Sequence, residues 1–214
     1  MPRFVEDWRK AWRNRIFRDQ FLISLAGLIV ALILLRLFLD SVEQRSGGVL
    51  SDPVLLLFSP VDFRWITVSL IYSGLLLGSI SFALHPFSLI LALRAGIVLS
   101  LLRAVCLFLL PLDAPQGSIP LVDPLISWPI ADSVLTRDLF FAGYTSMMAL
   151  LALIVRWRDL KIIFACAGAA VSALMVLQHI HYTIDVIAAP CFAYVALGIA
   201  RQFTVVEVST TTVT

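Results

Sequence analysis

Charge is what this sequence has least of. Only 14% of its 214 residues are Asp, Glu, Lys or Arg, and 60% are apolar or aromatic. Ordinary globular domains carry about 25% charged and roughly 45–50% apolar residues. The deficit excludes a soluble domain, which would leave much of that apolar surface in water. It also excludes disorder, because the chain has ample apolar surface to offset its ordering entropy. Cysteine is scarce as well: Cys106, Cys166 and Cys191 all fall inside apolar runs. Three such residues make neither a disulfide framework nor a zinc module, and they read as small apolar packing residues. With a net charge of only +2, nothing points to nucleic acid. No fixed-period repeat and no second domain are evident. No secretory leader is expected, because the first apolar run is too long for one and no small-residue cleavage site follows it.

What is present is length without charge. A bilayer-crossing helix needs about 20 mainly apolar residues, and six stretches qualify: Gln20–Leu39, Ile66–Ala83, Phe87–Leu110, Leu139–Val155, Ile162–Leu177 and Ile184–Ile199. The expected fold is an all-α integral membrane bundle of six spans. Around it, residues 1–19 form a basic interfacial segment, 20–200 the membrane domain and 201–214 a tail. With the N-terminus inside, the inner segments hold Arg3, Arg9, Lys10, Arg13, Arg15, Arg18, Arg156, Arg158, Lys161 and Arg201. The positive-inside rule therefore places both termini in the cytoplasm. Trp8 and Trp12 interleave with the first of these charges, as in a helix attracted to anionic inner-leaflet lipid; a charged anchor that only fixes topology is the plainer reading and the one preferred from the pattern. The loop Pro111–Arg137 holds five of the ten prolines yet is apolar in patches, which suggests a cap on the outer interface or an irregular connector anchored by Trp128.

Ionisable groups inside spans are costly and so become candidates for function. Arg36 can snorkel from its span end. Arg94 and Arg103 lie on one side of the third span, about 13 Å apart. Arg103 is nearer the outer side, where a guanidinium can clamp a phosphate, and a structural contact is expected for Arg94. The densest polar cluster is Gln178-His179-Ile180-His181-Tyr182-Thr183-Ile184-Asp185. If a helix begins there, His181 and Asp185 share a face at i and i+4. A carboxylate on one imidazole nitrogen leaves the other free to attack. A metal site on His179, His181 and Asp185 competes poorly. The two histidines face different sides of a helix, and His85 belongs to the opposite end of the bundle.

These residues also resemble a family. His181-Tyr182-Thr183-Ile184-Asp185-Val186 is similar to the His-Tyr-Thr-x-Asp-Val motif of the sphingomyelin-synthase branch of the type 2 phosphatidic acid phosphatase superfamily. Asp138-Leu139-Phe140-Phe141-Ala142-Gly143-Tyr144-Thr145 corresponds to its Asp-x-x-x-Ser-Gly-His-Thr, and Arg103 followed by Leu110-Pro111 to its arginine-bearing span. The resemblance covers about Arg94 to Tyr194. It implies metal- and cofactor-free transfer or hydrolysis of a phosphoryl-linked lipid head group at the outer leaflet. His181 would be the nucleophile and Asp185 its orienting acid, with Arg103 on the phosphate and Asp138, Gly143, Thr145 and Tyr182 lining the site. The substrate would be a phospholipid, ceramide or diacylglycerol-class amphiphile. The general acid maps onto Tyr144 and the phosphate-holding serine onto Ala142, so two positions of one motif depart from the pattern. Tyrosine, with an ordinary pKa near 10, can donate a hydrogen bond but supplies no positive charge. A non-catalytic lipid-binding relative is the alternative reading. A transporter using Arg94 and Arg103 is the third, weakened because no span is clearly broken by Pro or Gly at mid-depth.

Overall fold

The computed structural model describes residues 3–121, 137–140 and 142–204. Seven helices account for most of them: α1 (Arg3–Arg13), α2 (Arg15–Glu43), α3 (Arg64–Ala83), α4 (Pro86–Leu109), α5 (Gly143–Ile154), α6 (Arg158–Leu177) and α7 (Thr183–Phe203). No strand occurs among the described residues. Five of the helices, α2, α3, α4, α6 and α7, are long and apolar enough to cross a membrane. The protein thus has the make-up of a multi-pass membrane protein. Most of the proposed cap, and the tail beyond Thr204, lie outside the described residues.

The fourth apolar run differs from expectation. Its helix begins at Gly143, not Leu139, and α5 has only twelve residues, about 18 Å of helix. The reason is local: Phe140 has φ +76°, a left-handed conformation that no α-helix can pass through. The first span also starts earlier than expected. Asn14 is extended and its side chain accepts from the Ile16 N–H, so α2 is capped there and already includes residues 15–19.

Helix α5 is the hub, packed by α3, α4, α6 and α7. Its approach to α3 depends on Gly74 and Gly78, four residues apart, because a Cβ on either would overlap Met148 or Leu151 of α5. Small residues at this spacing let helices meet closely where no hydrophobic force separates protein from lipid. The core continues through Ile71, Phe164, Val171, Met175, Ala193 and Leu197. Helix α2 packs on α4 and turns Ile23, Ile29, Ile33 and Leu37 outward, as a lipid-facing helix does. Two cysteines depart from the packing role expected of them: Cys166 and Cys191 are exposed on this apolar perimeter. Pro190 lies inside α7, which runs unbroken past it.

Arg94 takes up structural contacts, with Ser24 Oγ at 3.1 Å and the carbonyl of Phe203. Arg36 pairs with Asp40 one turn away. His85, at the end of α3, faces the Ser81 carbonyl and the Trp157 ring, so it sits where α3 meets α4, beside the α5–α6 link.

Candidate functional site

The α6–α7 link carries the polar cluster, and its shape follows from one helix ending. Helix α6 stops at Leu177, and His179 adopts φ +55°. The His179 N–H donates to the Val176 carbonyl and the Ile180 N–H to the Met175 carbonyl, both at 3.0 Å. This is a Schellman motif with histidine in the place usually held by glycine. His179 therefore shapes the turn, and its Nδ1 is 3.1 Å from the Gln116 carbonyl.

Helix α7 begins only at Thr183, so His181 precedes it and the shared helical face expected for His181 and Asp185 does not exist. The pair forms by another route. Asp185 is the third residue of α7, and its Oδ2 accepts from the N–H of Tyr182, the N-cap, at 3.1 Å. This is half of a capping box. The same oxygen lies 3.4 Å from Nδ1 of His181, longer than an ordinary hydrogen bond but close enough to fix the ring. Both side chains are buried, and Oδ1 of Asp185 has no hydrogen-bond partner. With Nδ1 held toward the carboxylate, Nε2 is the nitrogen available for attack.

Arg103 reaches this region from α4. Its Nε and Nη2 meet the two oxygens of Asp138 at 3.2 and 2.5 Å, a side-on, two-point pair. Its Nη1 lies over Gly143, where any Cβ would overlap the guanidinium. Only glycine fits there, which gives Gly143 a steric role in seating Arg103. The charge of Arg103 also acts on Tyr144 and Asp185. The Ala142 N–H donates to the Asp185 carbonyl at 3.3 Å, tying the start of α5 to the first turn of α7. His181, Asp185, Arg103, Asp138, Gly143 and Tyr144 are thereby gathered where α4, α5 and α7 converge.

Two expected lining residues do other work. Thr145 is buried and accepts from the Ser172 hydroxyl at 3.1 Å, a link between α5 and α6. Tyr182 is 1% exposed, and its hydroxyl donates to the Asp113 carbonyl at 2.8 Å and accepts from the Leu50 N–H at 3.2 Å. It pins two loops above α7.

The structure also adds residues that sequence reasoning passed over. Asp52 accepts from the Thr183 N–H at 2.6 Å and its hydroxyl at 3.2 Å, capping α7 from 131 residues away. Burial pushes the Asp52 carboxyl up. The hydrogen bonds from Thr183, Val54 and Leu55 outweigh it and hold the group below the ordinary carboxylate range. The Asp52-Pro53 dipeptide signals a turn, but nothing local reveals its distant partner. Arg137 likewise joins the Glu43 carbonyl and the Asp113 carboxylate, the latter at 2.6 Å, and so holds the residue next to Asp138. A cavity of about 300 Å³ is lined by Leu50, Asp52, Leu55, Gln116, His179 and Tyr182 among others, and of the residues expected at the site only Tyr182 borders it.

Comparison with known proteins adds no family: no family model matches the chain, and no curated protein does.

Proposed function

We propose that the protein is a membrane lipid head-group phosphotransferase or lipid-phosphate phosphatase that works through a phosphohistidine. The observation that carries this reading is a buried imidazole braced through Nδ1 by a buried carboxylate at the start of α7, with a guanidinium seated over Gly143 at the start of α5, which the Ala142–Asp185 hydrogen bond ties to it. The likeness of 181–186 to the His-Tyr-Thr-x-Asp-Val motif supports it. In this mechanism Nε2 of His181 attacks phosphorus and the bond from phosphorus to the lipid alcohol oxygen breaks. Asp185 stabilises the imidazolium that forms, and Arg103 takes the phosphoryl charge. The Tyr144 hydroxyl gives its proton to the departing alkoxide, which leaves as the alcohol. A second alcohol, or water, then attacks phosphorus and returns a proton to the Tyr144 oxygen as the bond from phosphorus to Nε2 breaks and frees the imidazole. The proposed frame has six crossings, both termini in the cytoplasm and the site toward the outer leaflet.

Purified protein supplied with phosphorus-labelled phospholipid tests the proposal. The expected result is an acid-labile, base-stable label on wild type that is absent from His181→Ala. Turnover that persists in His181→Ala would overturn it. Ala142 and Tyr144 favour a second reading, a lipid-binding protein without turnover: the site lacks the hydroxyl and the cation that the motif otherwise supplies. Saturable lipid binding by wild type, with neither label nor product, would select that reading.

A further inference from the structure

The end of the bundle opposite the His181 cluster carries most of the basic residues, and α1 organises them. Asn14 interrupts the helix, so α1 does not simply extend α2. It is held against the bundle instead: the Trp8 indole N–H donates to the Ala83 carbonyl at the end of α3, at 2.5 Å. Ala11 and Phe17 are buried with Ile90 of α4, and Trp8, Phe17, Phe21 and Phe87 interlock edge to face. Docking of this kind exceeds what a mere topology anchor needs.

The docking fixes which side of α1 looks outward. At 100° per residue, Trp8 and Ala11 lie within about 60° of each other, while Arg9, Lys10 and Arg13 occupy the opposite arc. All three are exposed, as are Arg15 and Arg18 just beyond the break. Trp12 borders this arc and exposed Glu6 lies within it, while Phe4 falls on the Trp8 side near the helix start; Phe4 and Trp12 are 42% and 45% exposed. The His85–Trp157 contact brings the α5–α6 link to the same end, adding exposed Arg156, Arg158 and Lys161. Basic side chains interleaved with exposed aromatics fit the boundary between head groups and acyl chains.

We propose that this end is a binding surface for anionic phospholipid head groups, presented by α1 as a rigid part of the fold. The inference is independent of the phosphotransfer reading, because it involves none of the residues around His181. Spin-labelled phosphatidylserine and phosphatidylcholine, offered to the full chain in nanodiscs, test it; both leaflets there share one composition, so orientation does not matter. We expect phosphatidylserine to associate several-fold more strongly than phosphatidylcholine with wild type at low salt. In the Lys10→Gln/Arg13→Gln/Arg18→Gln variant the preference should fall toward unity, since the attraction of these basic residues for anionic head groups is what carries it. It should also fade in 0.5 M salt, a concentration that screens over about 4 Å. The altered side chains are exposed, and an unchanged melting temperature confirms that the variant is folded. Equal association of the two lipids with wild type, or a preference untouched by the triple substitution, would overturn the proposal.

Discussion

At the scale of single residues, the proposed chemistry turns on the side chain at position 144 and on the lack of one at position 143. Position 144 holds tyrosine, which donates a hydrogen bond without positive charge. Restoring the motif in an Ala142→Ser/Tyr144→His double variant is expected to raise turnover by about 10² to 10⁴, the usual worth of a general acid. Product formation from labelled phospholipid reads this directly, and no gain would mean that the cavity has changed shape beyond those two positions. Gly143 is the second control point. Gly143→Ala would force the Arg103 guanidinium off its seat, and we expect at least a 10²-fold loss of turnover. Gly198→Ala is the matched control, because a Cβ there meets nothing within 4 Å. It should leave turnover unchanged and stabilise α7 by up to about 1 kcal/mol, by thermal unfolding in detergent.

At the scale of elements, the start of α7 is clasped by two carboxylates, Asp185 from within and Asp52 from outside. The folded state depresses the Asp52 carboxyl, so its stabilisation is complete above the unfolded value of about 3.9. It is lost as pH falls through the lower folded value. Asp52→Asn is therefore expected to cost about 1 kcal/mol at neutral pH, and its deficit against wild type should close in acid. Thermal unfolding across a pH series measures it. This clasp also shows what could be read in advance. The His181–Asp185 pairing was legible in the spacing, but its geometry was not: a helix face was expected, and a capping arrangement ahead of the helix makes the contact. Periodicity gives the apolar runs and their ends to within a few residues. It cannot give the Phe140 conformation that shortens α5, nor the tertiary reach of Asp52 and Arg137, since neither is a local property.

At the scale of the whole molecule, the alternation of helix ends agrees with the distribution of basic residues. Helices α3, α5 and α7 end near the side where α2, α4 and α6 begin, as the Trp8–Ala83, His85–Trp157 and Arg94–Phe203 contacts require. In a cysteine-free background, Arg158→Cys and Gln116→Cys are expected to label from opposite sides of sealed vesicles with a membrane-impermeant thiol reagent. Labelling of both from one side would contradict the six-crossing frame.

The brevity of α5 has a consequence of its own. A bilayer's hydrocarbon is about 30 Å thick, and twelve helical residues cover about 18 Å of it. The Thr145–Ser172 contact sets its register against α6 and leaves the first turn of α5, which bears Gly143 and Tyr144, only about 5 Å below the end of α6 at Leu177. Most of the length that α5 lacks therefore falls at its other end, beyond Ile154. Longer acyl chains in the host bilayer would thus strain the basic α5–α6 link rather than the site, so turnover should change little as the membrane thickens.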